Sequence, residues 1–497
     1  MSQINESAIK TPGVYVNEIP SFPPSIAQVA TAIPAFIGYT AFAKDLQGKS
    51  LTNKPTRITS MLEYELYFGG PQLEINIELT YTQTTSGTTS NDTIVAAFNG
   101  AKSKHNMHTA IRFFYANGGG ACYIVSVGAY TDINAGSLAL TDFYSAGTGV
   151  GLEAEAKADE PTLIVFPEGQ NMVETDYYAL LGHALDQCGA LQDRFCIMDL
   201  FNTGATLVTS SDVTTATGNF RNGFASSFNN YGAAYFPNLK TVYAYDYDES
   251  KTKIAHTVNG AAGPLDGHTL TEISTLPAPP AAVPAFYNLG AYNLLKQTLT
   301  SQFPVILPPS PAVAGVYASV DASRGVWKAP ANVGLQDVVG PVFQISDDLQ
   351  GNMNIDATSG KSINAIRAFT GKGTLIWGAR TLDGNSNDFR YISVRRFYIM
   401  VEESTKLAAN AFVFEPNDGN TWVKVRAMIE NYLTNLWRLG ALAGSKPEQA
   451  FYVKVGLGQT MTFDDILNGR MIVEIGMAPV RPAEFIILRF SQIQQQA

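Results

Sequence analysis

The sequence predicts a multidomain chain of mixed α/β (α+β) fold. Three observations predict it. From about residue 113 to 247, apolar runs of strand length alternate with segments of helical period, the order that builds an α/β unit. Two proline clusters, at 275–286 and 304–311, separate this stretch from a denser series of elements that starts near Arg324. The length of 497 residues leaves room for roughly two to four domains.

The elements follow in order. Residues 1–11 are polar. The next stretch, 13–19 (GVYVNEI), has the β-branched and aromatic content of a short strand, and Pro12 and Pro20 bracket it. An extended arm fits that pattern. Residues 32–43 read as a buried strand leading into a loop. In 56–70 a strand precedes a short helix, with Ser60 as N-cap, Glu63 completing a capping box and Gly69-Gly70 as the stop. The Thr-, Ser- and Asn-rich stretch 74–93 reads as an exposed hairpin or a loop. A helix is expected at 107–117, then strands at 122–127 and 163–166. A helix at 174–188 and strands at 194–199 and within 236–247 follow. The proline-rich stretch 275–286 reads as a stiff connector.

The C-terminal third is the most regular. It predicts a short helix at 362–369, a strand at 374–377, a helix at 393–410 and a strand at 411–414. The next helix, 421–439, carries Trp422, Val425, Met428, Ile429, Tyr432, Leu433, Leu436 and Trp437 at the spacing of one buried stripe. Lys424, Arg426, Glu430, Asn431, Asn435 and Arg438 hold its other face. Asn417 to Asn420 offer N-caps and Gly440 a stop. Strands are expected at 450–455 and 470–475. The last run, 484–490 (EFIILRF), is apolar on both faces. Such a strand must be covered on both sides, deep in its own domain or in a neighbour.

Composition narrows the function. Charged residues make up 15% of the chain, against about 25% in an ordinary soluble protein. A surface this poor in charge is suited to packing against copies of itself. The net charge of −10 and the lack of a basic stripe argue against nucleic acid. No apolar run reaches the ~18 residues of a membrane span, and the N-terminus lacks a charged-then-apolar signal. Synthesis in the cytoplasm is expected, with later release by lysis left open. Cys122, Cys188 and Cys196 form no disulfide framework or zinc spacing and read as small buried hydrophobes.

Catalytic, cofactor and metal sites are expected to be absent. Gly360-Lys361-Ser362 lacks the upstream glycine of a P-loop, because Ile355 stands there. It reads as a loop with Ser362 capping a helix. Gly147, Gly149 and Gly151 miss the dinucleotide spacing. His105 and His108 read as exposed residues at a helix start. The acidic pairs at 246–249, 347–348 and 464–465 read as turns or helix starts. An enzyme such as a hydrolase in the middle region, or glycan and cell-envelope binding there, stands as the alternative.

Several short motifs share one order and spacing. They are TPGVYVNEIP (11–20), AFIGYT (35–40), FFYANGGGACYIVSV (113–127), WKAPAN (327–332), INAIRAF (363–369), IWGARTL (376–382), YISVRRF (391–397), FEPND (414–418) and LWRLGALAG (436–444). Taken together the chain resembles the tail sheath proteins of contractile injection machines. These include phage tails, phage-tail-like bacteriocins, type VI secretion sheaths and extracellular contractile particles.

The resemblance implies a discontinuous core built from both chain ends, with an inserted α/β outer domain. Applied here it gives an N-terminal arm at 1–24, core at 25–95 and 324–479, an outer domain at 96–323 and a C-terminal arm at 480–497. It implies that the arms add strands to neighbouring subunits, through Val14, Tyr15, Val16 and Ile19 at the front. At the back the residues are Phe485, Ile486, Ile487, Leu488 and Phe490. It implies helical polymers of hexameric rings around an inner tube, with baseplate and terminal cap proteins as further partners and no cofactor. Contraction drives the tube through a target membrane without the sheath itself inserting. A core helix touches the tube in such sheaths, which points to Lys424, Arg426 and Arg438; a plain solvated face explains the same charges.

Overall fold

The computed structural model describes residues 25–86, 89–201, 209–276 and 282–489. They divide into two compact units. The larger holds 30–396 together with 482–489, the smaller 25–29 together with 397–481.

The larger unit runs β1 (Pro34–Thr40), β2 (Thr56–Ile58), β3 (Ile77–Ser86), β4 (Thr89–Phe98), β5 (Cys122–Ala129), β6 (Leu163–Val165), β7 (Phe195–Asp199) and β8 (Gly232–Phe236). It continues with β9 (Leu239–Ala244), β10 (Lys253–Val258), β11 (Ala261–Ala262), β12 (Pro304–Leu307), β13 (Val333–Gly334), β14 (Val338–Pro341), β15 (Ile363–Phe369) and β16 (Gly373–Ile376). Its helices of eight residues or more are α1 (Met61–Phe68), α2 (Met107–Ala116), α3 (Glu174–Leu191), α4 (Ser210–Gly223), α5 (Leu289–Gln302), α6 (Ser310–Arg324) and α7 (Asp347–Asn354). The chain then passes through α8 (Ile392–Ala409) to α9 (Gly419–Arg438), β17 (Phe451–Val455) and β18 (Val473–Met477) of the smaller unit.

A nine-stranded sheet in the order β13-β16-β15-β8-β7-β6-β1-β5-β2 forms the centre of the larger unit. From β15 to β5 neighbouring strands are parallel, and antiparallel strands close both edges. Parallel strands carry crossover helices on their faces, so their sequences run apolar without alternation. Every residue of β1, β6, β7 and β8 is buried accordingly. Helices α2 and α6 pack on each other, α2 also against β1 and α6 against β6 and β7. A second sheet, β11-β10-β3-β4, packs Leu79, Tyr81 and Ile254 against Leu295 and Leu299 of α5.

Strand pairing crosses both internal boundaries expected from sequence. β1, within 25–95, lies between β5 and β6, and β15, beyond 324, joins β8. The hairpin β3–β4 itself straddles residue 95.

Other expectations are corrected at single elements. Residues 363–369 form β15, not a helix, because the edge of β8 accepts them as a parallel strand. Ser362 therefore caps no helix, and its hydroxyl donates to the Asn354 carbonyl at 2.6 Å. Residues 411–414 are not a strand; a short 3-10 turn covers Asn410–Phe412. The stretch around Pro309 and Pro311 opens α6, where proline in the first turn removes only an N–H that has no helical partner. His105 is buried rather than exposed, stacked on Tyr130 and tilted against Tyr39. Part of the proline-rich connector, and the strand expected at Val14 to Ile19, lie outside the described residues.

Candidate assembly surfaces

Helix α9 forms as its sequence demands. The Asp418 side chain caps it by accepting the Thr421 N–H at 3.0 Å. Asn417 ties the approach down: its Oδ1 accepts from Trp422 Nε1 at 2.7 Å and its Nδ2 donates to the Arg470 carbonyl at 2.9 Å. Val425, Met428, Ile429, Tyr432, Leu433 and Leu436 make the buried stripe, and α9 packs on β17. Gly440, at φ 82, turns the chain where a side chain would be strained.

The opposite face carries Lys424, Arg426 and Arg438, all exposed. Arg426 Nε pairs with Glu430 Oε1 at 3.0 Å across one helical turn. An exposed pair of this kind contributes about 0.3–0.5 kcal/mol. Among the described residues Lys424 and Arg438 enter no ion pair. Val423 and Leu439 are exposed beside them, so the face mixes positive charge with apolar surface.

The C-terminal run is the most unusual surface. Residues 482–489 form no strand and pair with no sheet. Phe485 is 66% exposed, Ile486 78%, Ile487 79% and Leu488 72%. Of the two covers expected from sequence, burial in its own domain is not what this stretch shows, because no sheet edge among the described residues receives it. Four consecutive large apolar side chains in water mark an interaction site or an aggregation hazard. Phe490 and the N-terminal Val14, Tyr15, Val16 and Ile19 lie outside the described residues.

The smaller unit offers more apolar surface. Among the described residues β17 and β18 form a two-stranded antiparallel sheet, so each keeps an outer edge of backbone donors and acceptors. Phe463, Leu467 and Leu457 are exposed in the connection between these strands. Phe414 is fully exposed, at 102%, and its backbone is left-handed at φ 69. A non-glycine residue pays roughly 1 kcal/mol for that conformation. Sequence reasoning placed Phe414 in a strand and missed it; the polar FEPND context around one aromatic was the available signal.

The chemically suggestive motifs have structural roles. Lys361 points inward and donates from Nζ to the carbonyls of Arg221 and Phe224, at 2.7 and 2.5 Å. Burial lowers its pKa. The glycine loop at 147–151 does form an anion cradle, but the Glu153 carboxylate fills it, accepting the Gly147 and Gly149 N–H groups at 2.7 Å each. Glu249 pairs with Lys296, and Asp465 closes a capping box with Thr462. All three cysteines are free and buried, and burial pushes the Cys122 thiol up to about 12. Among the described residues no three His, Cys, Asp or Glu side chains gather as a metal site, and no helix is long and apolar enough to cross a membrane.

Comparison with known proteins gives the family to which the chain belongs. Residues 385–493 match the phage tail sheath C-terminal domain. The cryo-EM structure of an extracellular contractile injection system, the PVC sheath complex in its contracted state, is 30% identical. It superposes with a TM-score of 0.60 over 97% of this chain and 98% of that one. The chain belongs to the contractile tail sheath family.

Other sheaths agree. The contracted helical sheath of the anti-feeding prophage is 29% identical, with a TM-score of 0.61 over 97% of this chain and 99% of its own. The tail sheath protein of Vibrio phage KVP40 is 26% identical over 185 residues, which are 37% of this chain. That of Burkholderia phage BcepMu is 28% identical over 144 residues. These matches span only 26% and 30% of the phage proteins' own lengths. The chain is thus a structural sheath subunit whose mixed helices and sheets follow the sheaths of contractile particles along nearly their whole length.

Proposed function

We propose that this sheath subunit polymerises with copies of itself as a helical stack of hexameric rings around an inner tube, and that a change of packing in the polymer drives the tube through a target membrane. The observation that carries the reading is the exposed run Phe485–Leu488. It is costly in a lone chain and useful only when another surface covers it. The β17–β18 hairpin supplies that surface in kind, because an extended segment can add to its open edge by main-chain hydrogen bonds while alternate side chains fill pockets. A subunit that gives a strand to one neighbour and takes a strand from another makes a heterologous contact. Repeated, that contact builds rings and helical filaments.

Within this reading Val14, Tyr15, Val16 and Ile19 add a strand from the front arm. The α9 face with Lys424, Arg426 and Arg438 meets the tube. The baseplate and a terminal cap bind the two ends of the polymer. Two packings of one chain, the contracted one lower in free energy, store the work of the stroke without hydrolysis, as in other bistable assemblies. Assembly takes place in the producing cell.

Negative-stain electron microscopy of the chain, alone and co-expressed with its tube protein, tests the proposal. Hollow cylinders of stacked rings are expected. Monomers at every concentration, with and without the tube, would overturn it. Lys424→Glu with Arg426→Glu is expected to leave empty cylinders intact and to stop tube-filled ones. Tubes that still fill would remove α9 from the tube contact.

A further inference from the structure

Two motifs that resemble sheath sequences, IWGARTL and YISVRRF, take no part in the surfaces described above. Their arginines are almost fully buried, Arg380 at 4% and Arg396 at 3% exposed. A buried guanidinium needs a partner, since an uncompensated one costs several kcal/mol. Each partner leads to the root of a terminal segment.

Arg380 holds Glu484, the residue just before the exposed run. Nη2 donates to Oε2 at 2.7 Å and Nε to Oε1 at 2.9 Å, a two-pronged grip of the kind only arginine makes. Tyr391 donates its hydroxyl to Oε2 at 3.1 Å, and Asn354 donates from Nδ2 to Oε1 at 2.7 Å. The next four side chains, Phe485 to Leu488, are mostly in solvent. The extended segment is therefore clamped at one point and exposed beyond it.

Arg396 does the same at the front. It donates from Nη2 to the carbonyl of Thr31 at 2.7 Å and pairs with Asp321 of α6 at 2.5 Å. Thr31 closes the triangle by donating its hydroxyl to Asp321 at 2.6 Å. Thr31 stands three residues ahead of β1, where the chain enters the central sheet. Arg396 also lies over the ring of Tyr317, whose hydroxyl meets that of Tyr235 at 2.7 Å.

The two clamps share one piece of backbone. Arg380 and Tyr391 form an antiparallel bridge. Thr381 N–H donates to the Arg390 carbonyl and Ile392 N–H to that of Ala379, so 379–392 is a closed hairpin. Asn364 of β15 locks Arg380 on both its N–H and its carbonyl, at 2.8 Å each. Helix α8 starts at Ile392 and carries Arg396 in its second turn.

We propose that the hairpin and first helical turns at 380–396 are a common anchor block for both terminal arms, with Arg380 and Arg396 as the positioning residues that fix where each arm leaves the subunit. The proposal rests on the reading of the termini as inter-subunit arms. An arm fixed at its root presents its apolar run along one direction, which lowers the ordering cost of docking on a neighbour. Load on one arm then reaches the other through a short hairpin and a helix start.

The test separates this from folding and from the arm reading itself. Glu484→Ala alone leaves Arg380 buried without its carboxylate, so Arg380→Met/Glu484→Ala serves beside it. Spin labels on Asp388→Cys and Ile486→Cys report the arm root against the block, since the three native cysteines are buried. The parent is expected to give a narrow distance distribution and the double variant one about twofold wider, as for a freed linker. The concentration needed for polymerisation is expected to rise about tenfold, the loss of pre-organisation. Asp321→Ala/Arg396→Met is expected to raise it likewise. A distribution of unchanged width, or polymers at the parent concentration from either double variant, would overturn the anchor block. A chain ending at Glu484 that still polymerises would instead overturn the arm reading.

Discussion

Strand β7 and the C-terminal run are two short apolar segments with opposite fates. Phe195–Asp199 reads FCIMD and is buried at every residue. Phe485–Leu488 reads FIIL and is mostly in solvent. Both sequences demand cover on two faces. β7 finds it inside the chain, between β6 and β8 and under α3 and α6. The C-terminal run follows a clamp and then joins no sheet among the described residues. Apolar pattern thus states that a segment will be covered, and says nothing of which molecule covers it.

Substitution separates the two most sharply. Phe195→Ala is expected to destabilise the lone subunit by about 3–5 kcal/mol, the cost of a cavity in a packed sheet. Ile486→Asp/Ile487→Asp is expected to change it by less than about 0.5 kcal/mol, as exposed positions do, while abolishing polymers. Denaturant melts and pelleting read the two effects. A polymer that survives the arm change would erase the contrast.

The two regions also differ in acid. Burial, opposed by hydrogen bonds from Ser310, pushes the β7 carboxyl Asp199 from the usual 3.8 up to about 7. Its folded value exceeds its unfolded one, so its contribution is complete below about 3.8 and is lost as the pH rises through 7. Glu484 behaves in reverse. Burial raises it, but the hydrogen bonds from Arg380 and Asn354 outweigh that and hold it below the usual 4.5. Its clamp is present above 4.5 and fails as the pH falls through the lower folded value. Asp199→Asn is expected to flatten the pH dependence of melting between 4 and 7. Glu484→Gln is expected to leave that window unchanged. The opposite assignment of the two slopes would refute this account of both groups.

The smallest expected effect belongs to the helix between these extremes. Asp418→Ala should cost about 1 kcal/mol through the lost N-cap of α9, with assembly retained. A much larger loss in a melt would mean that the Asn417–Arg470 tie depends on it.

The legible parts of this chain were those whose signal is local. The stripe and caps of α9, the Ser60 cap of α1 and the buried run of β5 needed only their own residues. What misled was a local pattern decided by a distant one. Ile363, Ile366 and Phe369 have helical spacing, yet β8 draws them into the sheet as β15. Pro309 and Pro311 belong to a cluster that marked only a separation in the sequence, and they open α6. The exposed character of 485–488 was half legible, because two-faced apolarity showed the need for cover. The grip of Arg380 on Glu484 was not legible at all. It joins residues 104 positions apart, and neither side chain carries a sign of its partner.

The most direct test compares the full chain with one ending at Glu484 in a single experiment. The account predicts matching melting curves for the two lone subunits, ring-stacked cylinders from the full chain and none from the shortened one. Equal cylinders from both would contradict it, since the exposed run would then hold no neighbour.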